Sequence, residues 1–124
     1  MILLLLSLVA CPTEVACTDL AAASALVHVV GPTGDPLVAT VTATDADGND
    51  VDVHCADVST DTCTDWVVGY EVQGEITITA DADDGCNTGT GSVTVDVPLD
   101  DDGCHVVQQE ATLEVAEWTD LDCG

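Results

Sequence analysis

The sequence predicts an all-β domain, an antiparallel seven-stranded β-sandwich held by disulfides, and three observations predict it. Apolar and polar residues alternate with a period of two through several short runs rich in Val, Ile and Thr. That is the pattern of strands with one dry and one wet face. Clusters of Gly, Pro, Asp and Asn part these runs, as turns do. Cysteines are frequent, seven in 124 residues, which in a small exported domain points to disulfides.

The chain opens on an apolar leader. Met1 runs straight into Ile2-Leu3-Leu4-Leu5-Leu6-Ser7-Leu8-Val9-Ala10-Cys11, with no positive residue ahead of the apolar run. As a helix, Ile2 to Ala10 would span about 14 Å at roughly 1.5 Å per residue, half a bilayer core. That is short for a transmembrane helix and suits the apolar part of a signal peptide. The residues Leu8-Val9-Ala10-Cys11 resemble the lipobox of bacterial lipoprotein signal peptides. The resemblance implies cleavage after Ala10 and lipidation of Cys11, whose several acyl chains would anchor more firmly than one myristoyl group. It divides the chain into a signal peptide (1–10), a lipidated tether (11–24) and a β-sandwich domain (25–124). The implied partner is the membrane, through the lipid on Cys11. The implied location is the bacterial cell envelope, at the outer membrane, periplasmic face or cell surface. From Cys11 through Cys17 to Ser24 there is no alternation, and a short helix at Asp19 to Ala25 would be marginal alone.

The strands of the domain then follow in order. Ala25, Val27 and Val29 alternate with Leu26, His28 and Val30, and the run ends at Gly31-Pro32-Thr33-Gly34-Asp35-Pro36. From Leu37 to Thr44, Ala39, Val41 and Ala43 face one way while Thr40, Thr42 and Thr44 face the other. The turn Asp45-Ala46-Asp47-Gly48-Asn49-Asp50 leads to Val51, Val53 and Cys55, alternating with Asp52 and His54. Trp66 to Tyr70 makes a further strand. Ile76, Ile78 and Ala80 alternate with Thr77 and Thr79, and Val93, Val95 and Val97 with Thr94 and Asp96. Past the turn Pro98 to Gly103, Ala111, Leu113 and Val115 alternate with Thr112 and Glu114. Seven short strands without a helix of length describe a sandwich.

Charge narrows the function. There are 24 acids and no Lys or Arg, where average usage would supply roughly a dozen bases. No salt bridge can form inside the chain except to a histidine, so the fold rests on its core and its disulfides. Nucleic acid is excluded as a partner, because neutralising phosphates takes Lys or Arg. A basic patch for anionic lipid is excluded for the same reason. Cations, basic partners and high ionic strength remain compatible.

The stretch Val27 to Gly48, with its strand, Gly/Pro turn, Ala/Val strand and Asp/Gly hairpin, resembles the start of carboxypeptidase regulatory-like domains, a transthyretin-like β-sandwich family. Gly69-Tyr70-Glu71-Val72 and the run to Ala80 look like that family's Gly-x-Tyr-x-Val strand, and Asp84-Gly85 like the turn after it. Glu75 and Cys86 depart from the aromatic residues usual there. Gly103-Cys104-His105-Val106-Val107-Gln108-Gln109 is similar to the last strand in a group of bacterial lipoproteins carrying this domain. The resemblance covers roughly residues 25 to 116 and implies an immunoglobulin/transthyretin-like sandwich acting as an accessory, adhesive or spacing module. It brings no catalytic residues.

Beyond Cys11, six cysteines remain, which allow fifteen pairings. No Cys-x-x-Cys occurs, so zinc is the weaker reading. Cys55 and Cys63 flank one short loop, and a bridge between them closes at small entropic cost. In immunoglobulin-like sandwiches the first strand commonly runs parallel beside the last, which implies Cys17–Cys104. Cys86 and Cys123 then fall at the opposite end, giving Cys86–Cys123 as the third pair.

Other constellations are weaker. Asp45, Asp47 and Asn49 mimic an EF-hand opening, but Asp50 stands where the sharp-turn Gly belongs and Ala56 where the bidentate Glu belongs. The other acidic turns, Asp81 to Asp84 and Asp100 to Asp102, suit hairpins as well as a loose calcium site. His28, His54 and His105 show no metal-ligand spacing. No serine lies in Gly-x-Ser-x-Gly, and Trp66 and Tyr70 serve as core and edge packing. The expectation is therefore a lipid-anchored envelope module for binding, adhesion or structure. It carries no catalytic, cofactor or metal residues, and its protein or carbohydrate ligand is unspecified. The alternative is a calcium-dependent ligand or adhesion domain using the Asp-rich turns.

Overall fold

The computed structural model describes residues 20–56, 63–83 and 87–120, the last four by backbone alone. Nine strands run through them: β1 (Ala23–Val30), β2 (Thr40–Asp45), β3 (Asp50–Val51), β4 (Val53–Cys55), β5 (Asp65–Tyr70), β6 (Gly74–Asp83), β7 (Asn87–Val97), β8 (Gln109–Glu114) and β9 (Glu117–Asp120). They form a four-stranded sheet, β4-β5-β1-β8, and a five-stranded sheet, β3-β2-β6-β7-β9. No helix occurs among the described residues, and none there is long and apolar enough to cross a membrane.

The inner faces share one core. Ala25, Val27, Val29, Val68 and Leu113 come from the four-stranded sheet, and Val41, Ala43, Ile76, Ile78, Ala80 and Val97 from the other. These are the residues that the two-residue periodicity turns to one side. With no Phe in the chain, the filling is aliphatic and small. Full burial of Ile76, Ile78 or Leu113 contributes about 1.5–3 kcal/mol each. Ser24, at the end of the stretch assigned to the tether, is wholly buried in β1.

Three expectations are corrected. The described residues hold nine strands, because Val51 to Cys55 falls in two strands and Glu117 to Asp120 is a further one. β3 pairs with β2, whereas β4 pairs with β5 in the other sheet. The chain changes sheet at Asp52, whose carbonyl accepts from Gly69 N–H at 2.7 Å. Alternation continues through the change because both sheets turn their apolar side to the same core. The second correction is that the sandwich is not antiparallel throughout. β1 lies parallel to β8, Ala25 opposite Gln109 through Val30 opposite Glu114; the five-stranded sheet is antiparallel. β1 and β8 are far apart in sequence, so no hairpin dictates their direction. Third, Gly69 to Ala80 is not one strand. β5 ends at Tyr70, the chain turns with positive φ at Glu71 (57°) and Gly74 (97°), and β6 begins in the opposite sheet.

Candidate functional site

The sandwich is pierced at one edge. Where β2 begins, β6 ends and β4 and β5 approach, residues from both sheets line a cavity of about 280 Å³. Its apolar wall is Val38, Trp66 and the Cys55–Cys63 disulfide, and its polar wall is Thr40, Asp81 and Asp83. Pairing fixes both walls. Thr40 stands opposite Asp81 in the β2–β6 ladder, and Cys55 opposite Trp66 in the β4–β5 ladder. The two sheets meet beside it through Ala39 N–H, which donates to Cys63 carbonyl at 3.3 Å. Trp66 packs partly against the core, and its indole Nε1 is buried with no hydrogen-bond acceptor. A buried donor left unmet costs about 1–3 kcal/mol.

The only ion pairs among the described residues use histidine, as a chain without Lys or Arg requires. On the outer face of the four-stranded sheet, His28 Nδ1 meets Asp65 at 2.8 Å and its Nε2 meets Glu110 at 2.9 Å. Donating from both nitrogens takes the doubly protonated ring. The two carboxylates, Asp65 first, raise the His28 pKa above 6.5. At the end of the sandwich where β1 and β8 start, Glu71 gathers three donors: the His105 ring, Val106 N–H and Ala22 N–H. These hold the Glu71 pKa down to about 2, with His105 the largest cause, while Glu71 raises that of His105. His54, on the same outer face as His28, lies against Tyr70 with ring centroids 5.9 Å apart.

Two of the acidic turns are built from within, whereas Asp81 and Asp83, expected in a turn, lie in strand β6. Asp45 Oδ1 accepts from Asp47 N–H and Asn49 N–H, both at 2.9 Å, which lowers its pKa. Asp100 Oδ1 accepts likewise from Cys104 N–H at 3.1 Å. Both carboxylates are therefore occupied in shaping their own turns. Among the described residues no three His, Cys, Asp or Glu side chains are grouped to hold a metal ion.

Of the expected disulfides, Cys55–Cys63 is present. Cys104 is also disulfide-bonded, and its partner lies outside the described residues, with Cys11, Cys17, Cys86 and Cys123. The strand ends nevertheless bear on the pairing. Through Glu71, Ala22 ahead of β1 is linked to His105 and Val106 ahead of β8. Asn87 stands opposite Asp120 in the β7–β9 ladder, so the first residue of β7 and the last of β9 lie at one end of the sheet.

Two of these features lay beyond the sequence. Glu71 looks like any exposed acid, and nothing in the spacing ties it to His105, 34 residues on. Trp66 was expected as packing, which it provides in part; its unmet N–H depends on how the sheets meet. The chain matches no family model, no curated protein and no solved structure.

Proposed function

We infer that the chain is an exported bacterial lipoprotein, anchored through Cys11, whose β-sandwich serves at the cell envelope as a non-enzymatic binding, adhesion or structural module. The finer fold assignment is to the carboxypeptidase regulatory-like, transthyretin-like sandwiches. One observation carries the reading: Leu8-Val9-Ala10-Cys11 stands immediately ahead of a small acidic domain that bears disulfides. Disulfides persist where a signal peptide would deliver the chain and not in a reducing cytosol. The parallel β1–β8 pair supports the immunoglobulin-like part of the assignment. It also supports Cys17–Cys104, as the β7–β9 register supports Cys86–Cys123.

Labelled fatty acid fed to a bacterial host expressing the chain tests the anchor. The wild type takes up label and fractionates with membranes, and Cys11→Ser does neither. Equal labelling of the two, or none in either, overturns the reading.

A further inference from the structure

We propose that the edge cavity between Trp66 and Asp81 is a binding site for an arginine or lysine side chain presented by a basic segment of a partner protein. Three features of the cavity converge on that chemistry. At about 280 Å³ it lies just below the range of small-molecule sites, so it suits one long side chain better than a large ligand. Its walls are amphipathic in the way such a side chain is. Val38, the indole and the disulfide offer apolar surface to a methylene stem, and Asp81, Asp83 and Thr40 offer oxygen acceptors to its cationic head. An aromatic wall adds cation–π attraction of roughly 0.5–2 kcal/mol when the site is desolvated. Finally, Trp66, whose buried Nε1 has no hydrogen-bond partner, lines the cavity beside the disulfide, so its indole N–H resonance reports on an occupant there.

Charge selects this occupant over a neutral one. The chain has 24 acids and no Lys or Arg, so it cannot supply the cation itself, and its field draws basic segments in. A sugar would match the hydroxyl and the indole but gain nothing from that field. The site is independent of the anchor: it belongs to the folded domain, so its test is read whether or not Cys11 carries lipid.

The ¹⁵N-labelled chain in a neutral detergent is titrated at about 0.15 M salt with glucose and with three capped peptides, Gly-Arg-Gly, Gly-Lys-Gly and Gly-citrulline-Gly. Salt at that level suppresses diffuse attraction beyond about 8 Å. The Trp66 indole N–H resonance shifts saturably with the arginine or lysine peptide. Asp81→Asn weakens the binding at least fivefold; Asp102→Asn, which removes the same charge at the turn after β7, leaves it unchanged. Both variants are first shown to melt as the wild type does. An equal response to citrulline or to glucose, no saturable shift, or equal weakening by the two variants overturns the proposal.

Discussion

His28 shows what one residue can do in a chain without Lys or Arg. It sits in β1 and reaches a carboxylate on each neighbouring strand, Asp65 of β5 and Glu110 of β8. Its folded pKa is raised above the unfolded 6.5, so its contribution is complete below about pH 6.5 and is lost as pH rises through the folded value. The same sign holds for His105. Thermal melts from pH 6 to 9 should therefore show stability falling, and the fall should shrink in His28→Gln and again in the double variant with His105→Gln. Because the His28 pair is exposed, its effect is a few tenths of a kcal/mol to about 1 kcal/mol. Glu71 has the opposite sign: with its pKa lowered from 4.5 to about 2, its contribution is present above about pH 4.5 and lost as pH falls toward 2. Ser24 is a purely neutral case. Its buried hydroxyl donates to Val72 carbonyl at 3.0 Å and accepts from Val72 N–H at 2.8 Å, fastening β1 to the turn before β6. Ser24→Ala should cost about 1–3 kcal/mol in chemical denaturation, because it leaves the Val72 groups unmet.

Among the elements, the passage from β8 to β9 is the least evident from sequence. β8 pairs with β1 in one sheet; two residues later β9 pairs with β7 in the other. The crossing brings backbone against β7 at Gly91, where an added Cβ would lie 2.4 Å from Glu114 carbonyl oxygen and 2.9 Å from Leu113 Cδ2. Backbone cannot yield as a flexible side chain can, so Gly91→Ala should destabilise by about 1–3 kcal/mol or more. Gly34→Ala serves as a contrast: it faces open space, and only its φ of +88° opposes the substitution. If denaturant midpoints of Gly91→Ala and the wild type coincide, the crossing is wrongly placed. These details mark the limit of what the sequence showed. Alternation placed the inner faces of β1, β2, β6, β7 and β8 correctly, because a strand's side-chain period is set by its backbone alone. It does not show where the chain changes sheet, as at Asp52 and between β8 and β9, since a residue facing a shared core has the same polarity in either sheet. It missed β9 because Glu117-Trp118-Thr119-Asp120 does not alternate. The short bridge Cys55–Cys63 was legible from spacing, whereas the cavity beside it is assembled from four strands distant in sequence.

For the whole molecule, net charge bears on stability and the proposed anchor bears on role. A folded chain gathers 24 acids with no Lys or Arg to offset them. Raising sodium chloride from about 0.01 M to about 1 M contracts the Debye length from roughly 30 to 3 Å, and the melting temperature should rise with it. A flat or falling trend would show that repulsion does not limit this fold. The role proposed for the domain depends on how it is delivered. The measurement closest to that claim is the intact mass and N-terminal sequence of the mature chain from a bacterial host with a lipoprotein pathway. The mature chain should begin at Cys11 and carry the mass of a diacylglyceryl group on its sulfur. A chain that keeps Met1, begins at another residue, or carries an unmodified Cys11 would contradict it.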